Sequence, residues 1–432
     1  MHVADCPKAL ACNATLNFKI MKKLVIGILS LLGTASLYAQ QTEESITIRS
    51  ASGTEEVISL PAGMVSETDS LYLDWISKNY INIGENCDPA AANPEVSDSL
   101  YMDRLQRIPA IIEMPYNEVV RKFIDMYATR LRQKVAFMLS ANNFYMPIFE
   151  EALDLYDLPL ELKYLPVIES ALNPMAASRQ GAVGLWQFML NTGKIYGLKV
   201  TSLVDERRDP VKSTRAAARY LKDLYDIYHD WNLVLAAYNC GPGTINKAIR
   251  RADGEKDFWA LYNYLPKETR GYVPAFIAAN YIMTYYCEHN ISPMEMKMPE
   301  GTDTIHISRP LHLQQVASVC NISMDELRAL NPEFKKDVIP GNEQPYALRL
   351  PSNMMSYFID HEDSIYNYKP DTYLTRRNTV DIPEPKAVYH RIRNGETLGG
   401  IAQKYGVSVA QLRRLNGIRG SNIRAGKSIR IR

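Results

Sequence analysis

Cysteine is scarce in this chain and forms no pattern: the 432 residues include 6 cysteines, with no CxxC pair and no Cys/His spacing of the kind that holds zinc. The 7 histidines are equally dispersed. No metal and no cofactor is implied. A chain of this length can fill its core without staples, so no disulfide is predicted. Net charge is small as well, and a formal +1 excludes a protein that covers a polyanion with its whole surface. The apolar run LVIGILSLLG, which follows Met21-Lys22-Lys23, is too short for a comfortable membrane span. One further absence is local. Between Ser170 and Val204 there is no Asp or Glu.

What is present is an ordinary globular composition, 46% hydrophobic and 22% charged, long enough for more than one domain. Residues 1–39 read as an upstream segment and a secretory signal that starts at Met21 and is cleaved after Ala39. No cysteine stands where a lipid anchor needs one. The expected product is therefore exported, periplasmic or associated with the cell envelope, with membrane attachment only if the signal stays uncleaved. Four cysteines then remain: Cys87, Cys240, Cys287 and Cys320.

Residues 40–100 are polar and irregular, and residues 101–299 place apolar side chains at three- and four-residue intervals, the pattern of a helical domain. Beyond Pro299 the texture changes to short strands around short helices. There, LQQVASVCNISMDELRALN (Leu313 to Asn331) lies over LGGIAQKYGVSVAQLRRLN (Leu398 to Asn416) without gaps, with 7 identities in 19 positions. Each copy reads strand, helix, helix, strand. This gives two small α+β (βααβ) modules, 303–351 and 387–432, joined by a linker at 352–386. From Lys386 to Arg432 there are 11 Lys or Arg and a single acid, Glu396, so the last module is basic.

Chemistry concentrates around LPVIESALNP, where Glu169 follows four apolar residues in a segment suited to burial. An ionised carboxylate is costly to remove from water. Burial makes it hold its proton more tightly, which suits a general acid. The plainer reading is a glutamate exposed at a helix end. Downstream, GLWQF contributes Gln187 and Phe188, AAYNCGPG contributes Tyr238 and Asn239, and ETRGYVPAF contributes Tyr272. Each couples an apolar or aromatic group to an amide or phenol, the pairing that stacks on a sugar face and hydrogen-bonds its substituents.

The ordered set ES, GLWQF, AYN-x-G and YVPAF resembles the Slt-type lytic transglycosylases. With the C-terminal repeats it resembles the membrane-bound lytic murein transglycosylase D group. The resemblance covers roughly Asn142 to Ile282 and implies a mainly α, goose-lysozyme-like catalytic domain acting on peptidoglycan glycan strands. It also implies that Glu169 is the catalytic acid/base, that Ser170 positions the reacting sugar, and that Gln187, Phe188, Tyr238, Asn239 and Tyr272 bind substrate. Cys240 departs from the pattern, which usually has Ala or Ser there, and packing is its expected role. The last module resembles LysM domains, which implies binding of N-acetylglucosamine-containing glycan around Gly395, Glu396, Thr397 and Leu398. The first copy lacks the GETL turn, so the LysM fold is expected there and glycan binding is left open.

Ordinary glycosidases use two carboxylates. The acid-free stretch after Ser170 removes a second one close in sequence and leaves Asp205 or Glu206 as distant candidates. With one carboxyl the consistent outcome is cleavage of the MurNAc-GlcNAc β-1,4 bond with internal closure to a 1,6-anhydro sugar. The alternatives are a hydrolytic muramidase on the same scaffold and a non-catalytic wall-binding protein. Nucleic acid is not an expected partner of an exported chain, and the sequence does not fix an oligomeric state.

Overall fold

The computed structural model of the protein describes residues 45–49, 55–65, 92–294, 299, 301–375, 389–405, 407–418, 420 and 423–431. Residues 1–39, read as an upstream segment and a signal, Cys87, most of the polar segment and the stretch 376–388 lie outside the described residues. As the 3.6-residue periodicity predicts, the body is helical. Strands β1 (Ser45–Arg49) and β2 (Glu55–Ser59) form an antiparallel hairpin, with Ser45 opposite Ser59, and a short helix at Ala62–Val65 follows. Then come α1 (Asp98–Arg107), α2 (Glu118–Ala128), α3 (Arg132–Leu155), α4 (Leu165–Ser170), α5 (Pro210–Tyr228), α6 (Trp231–Cys240), α7 (Pro242–Arg251) and α8 (Tyr272–Thr284).

The helix starts are set by side chains that accept from otherwise orphaned N–H groups. Asn117 caps α2 through Val120, Asp209 caps α5 through Val211 and Lys212, and Asp230 caps α6 through Leu233. Pro210 and Pro242 stand at the first helical position of α5 and α7, where a missing N–H costs nothing. Helix α8 has no polar face, and Tyr272 through Met283 are all buried, so it is the axle around which the others pack.

The hairpin is not a free tail. Ile48 and Ile58 join the helical core, and Glu56 pairs with Arg270, just before α8. The short helix behind the hairpin lies against α4: a Cβ on Gly63 would stand 2.6 Å from the Ile168 carbonyl oxygen, so only glycine permits this approach. Residues 45–49 and 55–65 therefore brace the two helices that carry Glu169 and Tyr272.

The first C-terminal module holds β3 (Thr302–Ile307), β4 (Pro310–His312), α9 (Leu313–Cys320), α10 (Met324–Leu330), β5 (Val338–Pro340) and β6 (Tyr346–Pro351). Strand β3 pairs antiparallel with β6, and β4 with β5. The described part of the stretch read as a linker, 352–375, continues this module. Helices α11 (Met355–Asp360) and α12 (Glu362–Asn367) bury Phe358 and Ile365 in its core, and Gln315 Nε2 donates to the carbonyls of Ile365, Tyr366 and Tyr368. The same core includes Leu203 and Val204 from the helical body. Backbone bonds from Asp205 N–H to Glu333 O (2.9 Å) and from Lys335 N–H to Leu203 O (2.7 Å) seal the junction.

The last module comprises β7 (Tyr389–Arg391), α13 (Leu398–Tyr405), α14 (Val409–Asn416) and β8 (Ser428–Arg430), with β7 antiparallel to β8. The repeat offset of 85 has a structural counterpart. Asn331 Nδ2 donates to Leu327 O and Arg349 O while its Oδ1 accepts from Arg349 N–H; Asn416 makes the same three bonds to Leu412 O, Arg430 O and Arg430 N–H. In each copy one amide ties the end of the second helix to the closing strand.

Candidate active site

Glu169 sits in the last turn of α4. The helix stops because Ala171 and Leu172 both take left-handed backbone angles, φ 51° and 60°, a conformation that costs a non-glycine residue roughly 1–2 kcal/mol. The strain is held by Ala171 N–H to Val167 O (3.2 Å) and Leu172 N–H to Pro166 O (3.3 Å). The chain thus turns away immediately behind the carboxyl.

The carboxyl meets α8 at its first residue, where the Tyr272 hydroxyl donates to Glu169 Oε1. Burial pushes the Glu169 pKa up to about 7, and the Tyr272 hydrogen bond opposes that rise. No acidic neighbour contributes to the shift. Tyr272 is 1% exposed, and burial, followed by the Glu169 charge, drives its phenol well above the ordinary range. The same two causes act on Tyr238, whose hydroxyl donates to Trp186 O at 2.7 Å. Glu169, Tyr238 and Tyr272 therefore share one electrostatic neighbourhood.

The GLWQF loop forms the adjoining wall. Val183 and Phe188 exchange both backbone hydrogen bonds at 3.1 Å, closing a tight turn in which Gln187 has φ 46°. Gly184 (φ 88°) packs so closely on Arg207 that a Cβ would lie 1.9 Å from that residue's carbonyl oxygen. The Arg207 guanidinium donates to Gly181 O and Phe188 O and forms a bidentate pair with Asp205, at 2.9 and 2.8 Å. Trp186 is fully buried, with Nε1 donating to Thr214 Oγ1 at 2.8 Å.

The residues singled out by sequence do not all face the site in the same way. Ser170 is 1% exposed, and its hydroxyl lies against Pro166 O (3.0 Å) and Leu185 O (2.9 Å), so it pins α4 to the GLWQF loop and does not present itself to a sugar. Phe188 is 2% exposed and belongs to the core, which corrects its placement in the cleft. The partly exposed Gln187 uses Nε2 to hold Gly184 O and Ala176 O, leaving its other amide atom out of those two bonds. Asn239 is exposed, and its Oδ1 accepts from Thr269 Oγ1 at 2.9 Å.

Asp205 and Glu206, the distant acids that could have supplied a second carboxylate, are committed elsewhere. Asp205 is 2% exposed and ion-paired to Arg207, while Glu206 accepts from Lys199 N–H and pairs with Lys212. Sequence reading missed the aromatic ladder behind Tyr238, in which Tyr220 lies 5.3 Å from Tyr238 and 5.1 Å from Tyr196 between ring centroids. Its signal was present, since Tyr220 lies on a strongly periodic helix, but tyrosine at helical spacing usually means core. Cys240 is partly buried beside Thr244 and Thr269, and burial raises its thiol pKa, in keeping with packing. No group of His, Cys, Asp and Glu suited to a metal occurs among the described residues.

In the last module Gly395 adopts φ 83° and Glu396 closes the turn on itself: Oε2 accepts from Arg393 N–H (2.8 Å) and from His390 Nε2 (2.6 Å). Those bonds, the Arg393 amide first, hold its carboxyl below the usual range. Thr397 Oγ1 accepts from Gly400 N–H, and Leu398 is buried. The turn is thus built from Glu396 and Thr397 side chains. In the first module the equivalent turn is different. His312 and Gln315 form a reciprocal cap, and Tyr373 packs on His312 at 5.2 Å, so later chain lies over this turn.

Residues 146–261 match the Transglycosylase SLT domain family, residues 301–367 the LysM-like domain of lytic transglycosylase MltD, and residues 390–432 the LysM domain. Membrane-bound lytic murein transglycosylase D of Escherichia coli K12 is 34% identical over 279 residues, 64% of this chain and 60% of that protein. The chain thus spans less than two thirds of that relative's length. Soluble lytic murein transglycosylase of the same organism is 32% identical over 124 residues, 27% of this chain and 19% of the relative. Among solved structures, the 70 kDa soluble lytic transglycosylase of Escherichia coli is 27% identical over 35% of this chain and 26% of its own, with a TM-score of 0.29.

Proposed function

We propose, from the premise that this chain carries a transglycosylase SLT domain joined to two LysM-type domains, that it is an exported peptidoglycan lytic transglycosylase. It cleaves the MurNAc-GlcNAc β-1,4 bond and closes the new end as 1,6-anhydroMurNAc. The observation that carries this reading is a lone carboxyl, Glu169, lifted to about 7 by burial and gripped by a phenol, with both candidate second acids tied into ion pairs.

The chemistry follows from that arrangement. Glu169 starts protonated and gives its proton to the glycosidic oxygen as the C1–O bond breaks; the neighbouring acetamido oxygen of the substrate supports the electron-poor C1. The Glu169 carboxylate so formed is stabilised by the Tyr272 hydroxyl. It then takes the proton of the C6 hydroxyl, whose oxygen bonds to C1 from within the same sugar. Atoms balance without water, and Glu169 ends protonated. Internal attack also avoids the entropy cost of recruiting an outside nucleophile.

Ser170 serves this site by pinning α4, and Gln187, Asn239 and Tyr238 line its approach. The last module holds N-acetylglucosamine-containing strands at the Gly395 to Leu398 turn and keeps the catalytic body near a polymeric substrate. The test is digestion of purified sacculi followed by mass spectrometry. Products lighter by one water than reducing muropeptides are expected from the wild type and none from Glu169→Gln. Reducing ends alone would establish a hydrolytic muramidase instead.

A further inference from the structure

The two strands of the last module have an inner and an outer side. His390 and Ile429 turn inward and are buried, while Tyr389, Arg391, Ser428 and Arg430 turn outward and are exposed. The register sets Tyr389 opposite Arg430 and Arg391 opposite Ser428. Helices α13 and α14 cover the inner side, with Ile401 and Leu412 in one core with Ile429. At the edge of the sheet, against the end of α13, a pocket of about 370 Å³ is lined by Tyr389, Arg391, Arg393, Lys404 and Tyr405 together with the buried His390. None of Gly395 to Leu398 lines it, so it is distinct from the turn read as the glycan contact.

Among the described residues that line the pocket none is acidic, whereas Arg391, Arg393 and Lys404 all are exposed cations. The one acid between Lys386 and Arg432 is Glu396, and its carboxylate is already engaged by the Arg393 N–H and by His390. Positive charge continues past the pocket. Gly426 N–H bonds to Ile392 O and Ile392 N–H to Lys427 O, each at 2.8 Å, so the turn with exposed Arg424 and Lys427 is tied to the pocket's own strand. A single small anion would be met inside one ring of donors. Cations that run on along an open sheet face suit a surface that presents many anions. Tyr389, 62% exposed beside them, offers an apolar ring with a polar tip, the side chain that settles where hydrocarbon meets head groups.

We infer that this face of the last module docks on the anionic head groups of a phospholipid bilayer, with a lipid phosphate seated among Arg391, Arg393 and Lys404 and the Tyr389 ring at head-group level. The module then has two working surfaces, a turn for glycan and a sheet face for the bilayer. It holds the helical body where wall and membrane meet. The attraction is electrostatic and fades within a Debye length, so it weakens as salt rises. It does not depend on whether the chain cleaves glycan.

The test is co-sedimentation of the chain from Gln40 onward with vesicles of phosphatidylcholine alone and of phosphatidylcholine mixed with phosphatidylglycerol. Binding is expected to the mixed vesicles only and should fall as salt is added. Each basic side chain at an anionic bilayer is worth about fivefold in affinity, so Arg391→Gln with Lys404→Gln should weaken binding at least tenfold, and Arg391→Glu with Lys404→Glu further. Arg413→Glu with Arg414→Glu, at exposed positions of α14 on the helical side, should change it much less. Pull-down on insoluble glycan should persist in all these variants, which also reports that the module stays folded. Equal binding to neutral vesicles, equal losses from the two pairs of positions, or displacement by millimolar inorganic phosphate would overturn the inference. So would loss of glycan pull-down together with vesicle binding, which would assign the face to the wall instead.

Discussion

Replacing Tyr272 by Phe removes one oxygen and keeps the ring in its fully buried place at the head of α8, so it isolates a single hydrogen bond. That bond favours ionised Glu169 and opposes the effect of burial. A hydrogen bond to a charged group is worth about 1.5–3 kcal/mol, and a pKa unit about 1.4 kcal/mol, so its loss should raise the Glu169 pKa by roughly one to two units. Turnover requires protonated Glu169 at the outset and is lost as pH rises through its pKa. The alkaline limb of kcat/KM, near pH 7 in the wild type, should therefore move upward by that amount. On the acid plateau, where both enzymes start protonated, the variant should be slower by roughly ten- to hundredfold, because the carboxylate that forms as the glycosidic bond breaks has lost its donor. Release of anhydromuropeptides from sacculi, followed by chromatography from pH 4.5 to 9, reads both effects. A limb that stays in place or moves to lower pH would refute the assignment of Glu169 as the acid held by Tyr272.

Three further outcomes rest on the same fold. Glu169 holds its proton more tightly in the fold than at its ordinary value of 4.5, so wild-type stability should fall as pH rises from about 4.5 to 7. Glu169→Gln should then be more stable than wild type by about 3 kcal/mol above pH 7, with the difference vanishing near pH 4 in thermal melts. Gly63→Ala drives a methyl into the Ile168 carbonyl behind the catalytic helix; it should cost about 1–3 kcal/mol in denaturant unfolding and lower kcat while leaving glycan binding by the last module intact. Asn416→Ala removes three hydrogen bonds from a small module with a core of few residues. It should destabilise that module by roughly 2–3 kcal/mol and reduce pull-down on insoluble glycan without slowing cleavage of short soluble strands.

The parts of the site that were legible in the sequence are those in which chemistry dictates residue type. A carboxyl behind four apolar residues, and phenols and amides in fixed order after it, leave a trace in one dimension because few other side chains can do their work. The repeat was legible for a related reason, since an asparagine that must make three bonds at once admits no substitute, and it stands at the same offset in both copies. What stayed hidden depends on segments meeting across long sequence separations. SITIR and EEVIS lie in a segment that reads as polar and irregular, yet they pair as a hairpin that braces α4 and α8. Asp205 shows the difficulty most clearly. As a letter it is a spare acid that could complete a two-carboxylate site. In the fold its carboxylate clamps Arg207, which grips Gly181 O and Phe188 O at the two sides of the GLWQF turn, while its own N–H bonds to Glu333 O of the first module. One residue thus connects the catalytic wall to the module beside it, so displacing that module would loosen the loop next to Glu169. The first module shares a core with the helical body that holds the candidate site, whereas the last module has a core of its own.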